Sequence, residues 1–356
     1  MPDCPHQAVP FTTMNFIILG AGAIGCYVGA RLAAAGQRVT LVGRPRTIEP
    51  LARDGLTVTD LDGFKAHVPA HQLTFATTLA AAWPGATAAN GNSGAAASVI
   101  LLCVKSGATL LAAREIADCC PAATTVVSLQ NGVDNVARLA SVVPRMQALA
   151  GMVPFNVVWQ GARHVHRATS GHLSIARSAV TAQMAPLLTA AGLPTQLVDD
   201  MRAVQWGKLL LNLNNPINAL SDLPLREQLL DRDFRRVLAA LQSEALTAMS
   251  GAGIEPARVA SAPARALPHL LRLPNWLFTR LAARMLRIDA SARSSMWDDV
   301  QQGRATEIDD LCGAVVRLAA QSKTAAPGNA AMCQLIQAHR KGQRWTGAAL
   351  REALHA

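Results

Sequence analysis

Aromatic residues are scarce in this chain, at 4% of 356 residues with a single Tyr. Dense tracts of Lys and Arg are missing too. A nucleic-acid surface needs stacking faces and a continuous basic groove, so no nucleic-acid partner is expected. The longest apolar runs, such as residues 98–104, fall well short of the roughly 18 needed to span a bilayer, so no membrane partner is expected either. No charged-then-apolar signal segment opens the chain, and the expected location is cytoplasmic. The seven Cys are an odd count with no CxxC pair. That argues against a disulfide framework and structural zinc; the cysteines read as reduced small hydrophobes, and no metal is expected. No GxxxxGK[ST] occurs, which leaves a nucleotide triphosphatase unsupported. Acidic residues are outnumbered, 23 Asp and Glu against 33 Lys and Arg, for a net charge of +10. The excess is scattered and gives a mild positive field suited to anionic ligands.

What is present is a large apolar fraction, 51%, enough for a sizeable core in two domains. Residues 1–13 carry three prolines and no periodicity; they read as a loose tail, with Met14 a candidate start. From Asn15 short β-branched runs alternate with helical stretches. Strands are expected at 16–19, 38–42, 57–59, 99–104, 125–129 and 148–152. Helices are expected at 24–35, 108–117 and 133–142. Such alternation argues for right-handed βαβ units and a parallel sheet over 14–198. Residues 84–98, rich in Ala, Gly, Asn and Ser, read as an inserted surface loop. From 199 to 345 the pattern is helical, with main segments at 199–220, 231–251, 296–322 and 330–338, so the second domain should be all-α. Residues 258–293 mix Leu, Trp and Phe with seven Arg and three internal Pro. Pro263, Pro268 and Pro274 argue against one long membrane-surface helix and for a pair of short helices.

Gly20-Ala21-Gly22-Ala23-Ile24-Gly25 is a GxGxxG that follows an apolar strand and opens a helix, the context a dinucleotide site requires. Gly20 permits the tight turn, Gly22 admits a pyrophosphate, and Gly25 lets the helix pack on the sheet. The helix N-terminus offers free N–H groups and positive partial charge to the phosphates. The second strand ends at Gly43-Arg44-Pro45-Arg46, where an NAD site usually has an acid. A guanidinium fits a 2′-phosphate, so NADP(H) is favoured, with Arg44 the better ligand than Arg46. Lys105 and Asn131 follow two further strands. Lys105 reads either as a phosphate contact or as a solvated charge. Asn131 reads either as a bridge between cofactor and substrate or as part of an Asn-Gly turn.

The stretch 206–220 is an apolar helix carrying one Lys and four Asn. Lys208, Asn212 and Asn215 are spaced i, i+4, i+7 and share one face. Buried amides are costly unless bonded, so the row is either an internal polar network or a substrate-facing surface on which Lys208 donates a proton. Pro216 should end or kink this helix. Ser295 in Ser294-Ser295-Met296-Trp297-Asp298 reads as a helix cap or a ligand. Glu307 could be one half of a surface pair with Arg304.

GAGAIG, CVKS, LQNGV, WGKLLLN, SSMWDD and GRATEIDDLCG, in that order, resemble the ketopantoate reductase (2-dehydropantoate 2-reductase) family from Met14 to about Lys341. The resemblance implies an NADPH-binding Rossmann domain and an all-α domain like that of 6-phosphogluconate dehydrogenase, with the site in the cleft between them. It implies an NADP-dependent oxidoreductase of the pantothenate route, reducing 2-dehydropantoate to (R)-pantoate. It further implies Lys208 as general acid; Asn131, Asn212, Asn215 and Ser295 as substrate ligands; and Glu307 as organiser of the nicotinamide ribose and the substrate. Arg44, Lys105 and Asn131 join the glycine loop as cofactor contacts. Two departures stand out: the Asn-Pro pair, Asn215-Pro216, comes one residue early, and the family's later Asn falls near Leu225. Another branched 2-keto acid, or an NADP(H) sensor without turnover, are the rival readings. A homodimer is the candidate assembly.

Overall fold

The computed structural model describes residues 14–83, 98–258, 263–283, 286 and 292–355. The expected tail at 1–13, the insertion at 84–98 apart from Ser98, and parts of 258–293 lie outside the described residues. The chain divides into two compact units, one of Met1–Gln130 and Asn135–Asp199, the other of Asn131–Asp134 and Asp200–Ala356.

The first unit is α/β. Its strands are β1 (Asn15–Leu19), β2 (Arg38–Val42), β3 (Leu56–Asp60), β4 (Lys65–Val68), β5 (Thr74–Ala76), β6 (Ser98–Leu102), β7 (Thr125–Ser128), β8 (Gln147–Met152), β9 (Val157–Trp159), β10 (His164–Arg167), β11 (Leu173–Ala176) and β12 (Thr195–Val198). Its helices are α1 (Ala23–Ala34), α2 (Pro45–Asp54), α3 (Leu79–Ala82), α4 (Thr109–Cys119), α5 (Asn135–Val142) and α6 (Ala179–Ala190). Eight strands form one sheet in the order β12-β11-β8-β7-β6-β1-β2-β5; the others form a second sheet, β4-β3-β10-β9. The central strands are parallel: Phe16 sits opposite Val39 on one side and Val99 on the other. The β8–β11 pair alone in the large sheet is antiparallel.

Burial on both faces explains the continuous apolar runs of β1 and β6. Phe16, Ile18, Val99 and Leu101 feed one core layer; Ile17, Leu19, Ile100 and Leu102 feed the other. Because β1 has β2 on one side and β6 on the other, the chain reverses its direction of winding there. The carboxyl end of β1 is therefore the switch point at which open α/β sheets bind ligands.

The second unit is helical: α7 (Met201–Asn212), α8 (Asn214–Ser221), α9 (Leu225–Leu230), α10 (Arg232–Gly251), α11 (Leu267–Arg272), α12 (Asn275–Leu281), α13 (Ser295–Gln301), α14 (Ile308–Gln321), α15 (Pro327–Ala338) and α16 (Gly347–Ala353). Buried side chains of α7, α8, α10, α14 and α15 share one core. Two long helices expected from periodicity are broken. The 199–220 segment parts at Leu213 into α7 and α8, three residues ahead of Pro216, and 296–322 parts between Gln301 and Ile308. At the second break Gly303 adopts φ +61°, which lets the chain turn where an L-residue would be strained. The 258–293 stretch contains the short helices α11 and α12, as its prolines imply.

Candidate active site

The glycine loop occupies the switch point. Gly20 has φ +114°, and its N–H and that of Ala21 both donate to Val42 O, at 2.9 and 3.0 Å. A Cβ on Gly20 would stand 2.5 Å from Val104 N. On Gly25 it would stand 2.2 Å from Gly20 O, so the first turn of α1 must pack without a side chain. At Gly22, the N-cap of α1, a Cβ would meet nothing within 4 Å. Two glycines are thus required by the fold, whereas the middle one faces open space. That is the arrangement a pyrophosphate needs at a helix N-terminus, and the loop fits a dinucleotide.

Arg44 is exposed and is the N-cap residue of α2, one residue beyond Gly43 at the end of β2. Arg46 is exposed two residues further on. Lys105 is exposed just past β6, where the chain enters a short 3-10 turn at Ser106–Ala108. That turn rests on a buried polar network which sequence reasoning missed. Gln130 Nε2 donates to Val104 O at 3.0 Å and to Thr109 Oγ1 at 2.8 Å, while Ser128 Oγ donates to Gln130 Oε1 at 2.9 Å. Asn135 Nδ2 donates to Ser106 Oγ at 3.2 Å. The loops after β6 and β7 are held together by side-chain amides and hydroxyls.

In the second unit Lys208, Asn131 and Glu307 form a row. Lys208 Nζ donates to Asn131 Oδ1 at 2.9 Å, and Asn131 Nδ2 donates to Glu307 Oε2 at 3.1 Å. A cationic donor on one side and an anionic acceptor on the other fix which way the Asn131 amide points. Glu307 is the N-cap residue of α14, so its carboxylate also lies at the positive end of a helix. Burial lowers the Lys208 pKa from 10.5 to about 8, and the Glu307 carboxylate opposes that shift by favouring the ammonium. The group is therefore a far readier proton donor near neutral pH than a solvated lysine. Its neighbour Gly207 lets the backbone at Ala257 come close, since a Cβ there would stand 2.9 Å from Ala257 O.

Asn212 and Asn215, expected on the Lys208 face of one helix, lie on either side of the break at Leu213, and both are half-buried. The two remaining amides of the stretch make an internal network. Asn214 and Gln228 exchange bonds of 3.2 and 2.7 Å, and Asn218 Nδ2 donates to Leu223 O at 2.9 Å. The internal-network reading of the polar helix thus holds for Asn214 and Asn218. Ser295 is exposed and is not the cap of α13; Ser294 is, its Oγ accepting from Trp297 N at 3.2 Å. Arg304 pairs with Asp299 at 2.9 Å. No group of three or more metal-ligating side chains able to hold a metal occurs among the described residues.

Comparison with known proteins adds the family. Residues 16–179 match the model for ketopantoate reductase PanE/ApbA, and residues 200–340 match its C-terminal model. The chain belongs to the ketopantoate reductase family. Ketopantoate reductases are oxidoreductases acting on CH–OH groups with a nicotinamide dinucleotide, and this chain is one of that class. The 2-dehydropantoate 2-reductase of Halobacterium salinarum is 28% identical over 339 residues, 91% of this chain and 98% of its own. That of Pyrococcus horikoshii is also 28% identical, over 91% of this chain and 97% of its own. The crystal structure of a PanE/ApbA family ketopantoate reductase from Ralstonia eutropha JMP134 superposes with a TM-score of 0.75. It is 27% identical and covers 91% of this chain and 97% of its own. A D-mandelate dehydrogenase solved with NADH and anilino(oxo)acetate shares the fold, with a TM-score of 0.71 and 18% identity over 96% of this chain and all of its own.

Proposed function

We propose that this ketopantoate reductase family member reduces 2-dehydropantoate to (R)-pantoate at the expense of NADPH. The observation that carries the reading is the Lys208–Asn131–Glu307 row. Bound NADPH supplies the hydride that adds to the keto carbon. Lys208 gives an Nζ proton to the keto oxygen as negative charge grows there, which yields the 2-hydroxy acid. Asn131 holds the ammonium in place, and Glu307 holds Asn131 and organises the nicotinamide ribose. Asn212, Asn215 and Ser295 bind the hydroxyl and carboxylate of the substrate. Gly20 to Gly25 cradle the pyrophosphate, and Lys105 contacts the cofactor beside them.

Preference for NADPH is supported by Arg44, whose guanidinium follows β2 at the position where an NAD site carries an acid. A second reading keeps the reaction and changes the substrate to another branched 2-keto acid. Half-buried Leu225, which opens α9 where the resemblance implies an amide, favours it.

The test is steady-state oxidation of NADPH and of NADH with 2-dehydropantoate and a panel of branched and aryl 2-keto acids. The proposal expects 2-dehydropantoate to give the highest kcat/KM, and NADPH to outperform NADH. A higher kcat/KM for another member of the panel would install the second reading. Cofactor binding without turnover of any substrate would leave a sensor.

A further inference from the structure

Helix α13 begins with Ser294 and Ser295, and it packs along α8. Four bonds of the described residues fasten this end. The Ser294 N–H donates to Asn218 Oδ1 at 2.9 Å, and Ser294 Oγ donates to Asn215 O at 3.2 Å. Trp297 Nε1 donates to Asp222 Oδ1 at 2.7 Å, and Arg293 lies 3.5 Å from the same carboxylate oxygen. Asn218 is fully buried and works in both directions. Its Oδ1 takes the α13 N–H, while its Nδ2 donates to Leu223 O at 2.9 Å and to Gln228 Oε1 at 3.3 Å. One side chain thus ties the α8–α9 turn to the residue immediately before Ser295. Helix α8 in turn continues from α7, the helix of Lys208, across the single residue Leu213.

A buried amide with all of these partners is costly to place and rigid once placed. It is more than the cap that α13 needs, because Ser294 Oγ already satisfies the Trp297 N–H. We propose that Asn218 is a positioning residue: through the Ser294 N–H it sets the Ser295 hydroxyl relative to Lys208, and so determines how strongly the enzyme selects substrates that carry a carboxylate. The proposal rests on the reading of Ser295 as the carboxylate ligand.

Its experiment compares a 2-keto acid turned over by the parent with the methyl ester of the same acid, which lacks the charged carboxylate. The readout is the ratio of kcat/KM for acid over ester, with the thermal midpoint measured alongside. Asn218→Ala should lower that ratio at least tenfold, mainly through a raised KM for the acid, while kcat with the ester stays within about threefold. Asn218→Ser, whose shorter side chain cannot reach the Ser294 N–H, should lower the ratio in the same direction, and it carries the test if Asn218→Ala does not fold. Gln228→Ala removes the Asn214 pair and one acceptor of Asn218 Nδ2 but keeps the Ser294 N–H bond; it should lower the thermal midpoint and lower the ratio by a smaller factor than Asn218→Ala. Equal losses on acid and ester in Asn218→Ala, or in Asn218→Ser where the first does not fold, would overturn the proposal and leave a structural amide. A parent that reduces neither compound overturns the proposed function instead, which separates the two failures.

Discussion

At the scale of single residues, Lys208 is where chemistry and burial meet. Removal from water disfavours the ammonium, and the nearby negative charge of Glu307 recovers part of that loss. General acid catalysis is worth about 10²–10⁴-fold, so Lys208→Ala should cut kcat by that order while leaving dinucleotide affinity intact. Arginine should not rescue it, because a guanidinium holds its proton near neutral pH. In the proposed mechanism the protonated form is the active one, so kcat should fall as pH rises through about 8, the value burial imposes; turnover flat from pH 6 to 10 would remove Lys208 from the proton step. The glycine loop gives a second contrast at this scale. Gly22→Ala meets open space and should leave the thermal midpoint within a few degrees while weakening cofactor binding at least tenfold. Gly25→Ala drives a methyl into Gly20 O and should lower the midpoint sharply. Calorimetry and cofactor titration on both variants check the pair.

At the scale of elements, the second unit shows how one side chain can organise several helix ends. Arg235 on α10 is fully buried with all its N–H groups committed. It donates to Leu229 O and Leu230 O at the end of α9, to Leu271 O and Leu273 O around the end of α11, and to Asn275 Oδ1 at the start of α12. Its guanidinium also lies 4.1 Å from the Phe278 ring centroid. Carbonyls at helix ends lack intrahelical donors, and a cation there also meets the negative end of the helix dipole. Each buried acceptor left without a donor costs about 1–3 kcal/mol, so Arg235→Met should destabilise the protein by at least about 3 kcal/mol in urea unfolding. A loss under about 1 kcal/mol would mean that the carbonyls find other donors. The prolines at 263, 268 and 274 announce short helices; that Arg235, far away in sequence, closes their ends is invisible before folding. The same holds for strands β9 to β12. They run three or four residues each, too short for alternation to show against the surrounding chain.

At the scale of the whole molecule, the net charge of +10 and the exposed arginine after β2 both favour an anionic ligand, and the proposed NADPH is one. NADPH is a multiply charged anion, so its KM should rise severalfold between low salt and about 0.5 M salt, as screening shortens the field. Arg44→Ala should weaken NADPH by roughly tenfold or more, since a charge-assisted bond is worth about 1.5–3 kcal/mol, and leave NADH nearly untouched. Equal losses for the two cofactors would sink the 2′-phosphate assignment.

The sequence by itself determined the α/β first unit, the helical second unit, the glycine loop, and the lysine and amides of 206–220. Each of these is a local pattern: a period of two or 3.6, a spacing of glycines, or a polar residue on a greasy helix. Tertiary structure alone decided which polar residues meet. Asn131 and Glu307 are 176 residues apart, and only the fold of the second unit sets one amide between Lys208 and that carboxylate. It also decided that Asn214 and Asn218 meet Gln228 while Asn212 and Asn215 stay half-exposed, because α9 carries Gln228 against that side of α8, a partner that helical spacing does not record. It moved the cap of α13 from Ser295 to Ser294, one residue along, because the N–H and hydroxyl of Ser294 find partners on α8 that no local spacing records. Periodicity reports which face of an element is apolar; the partner of a buried polar atom depends on what the rest of the chain packs against it.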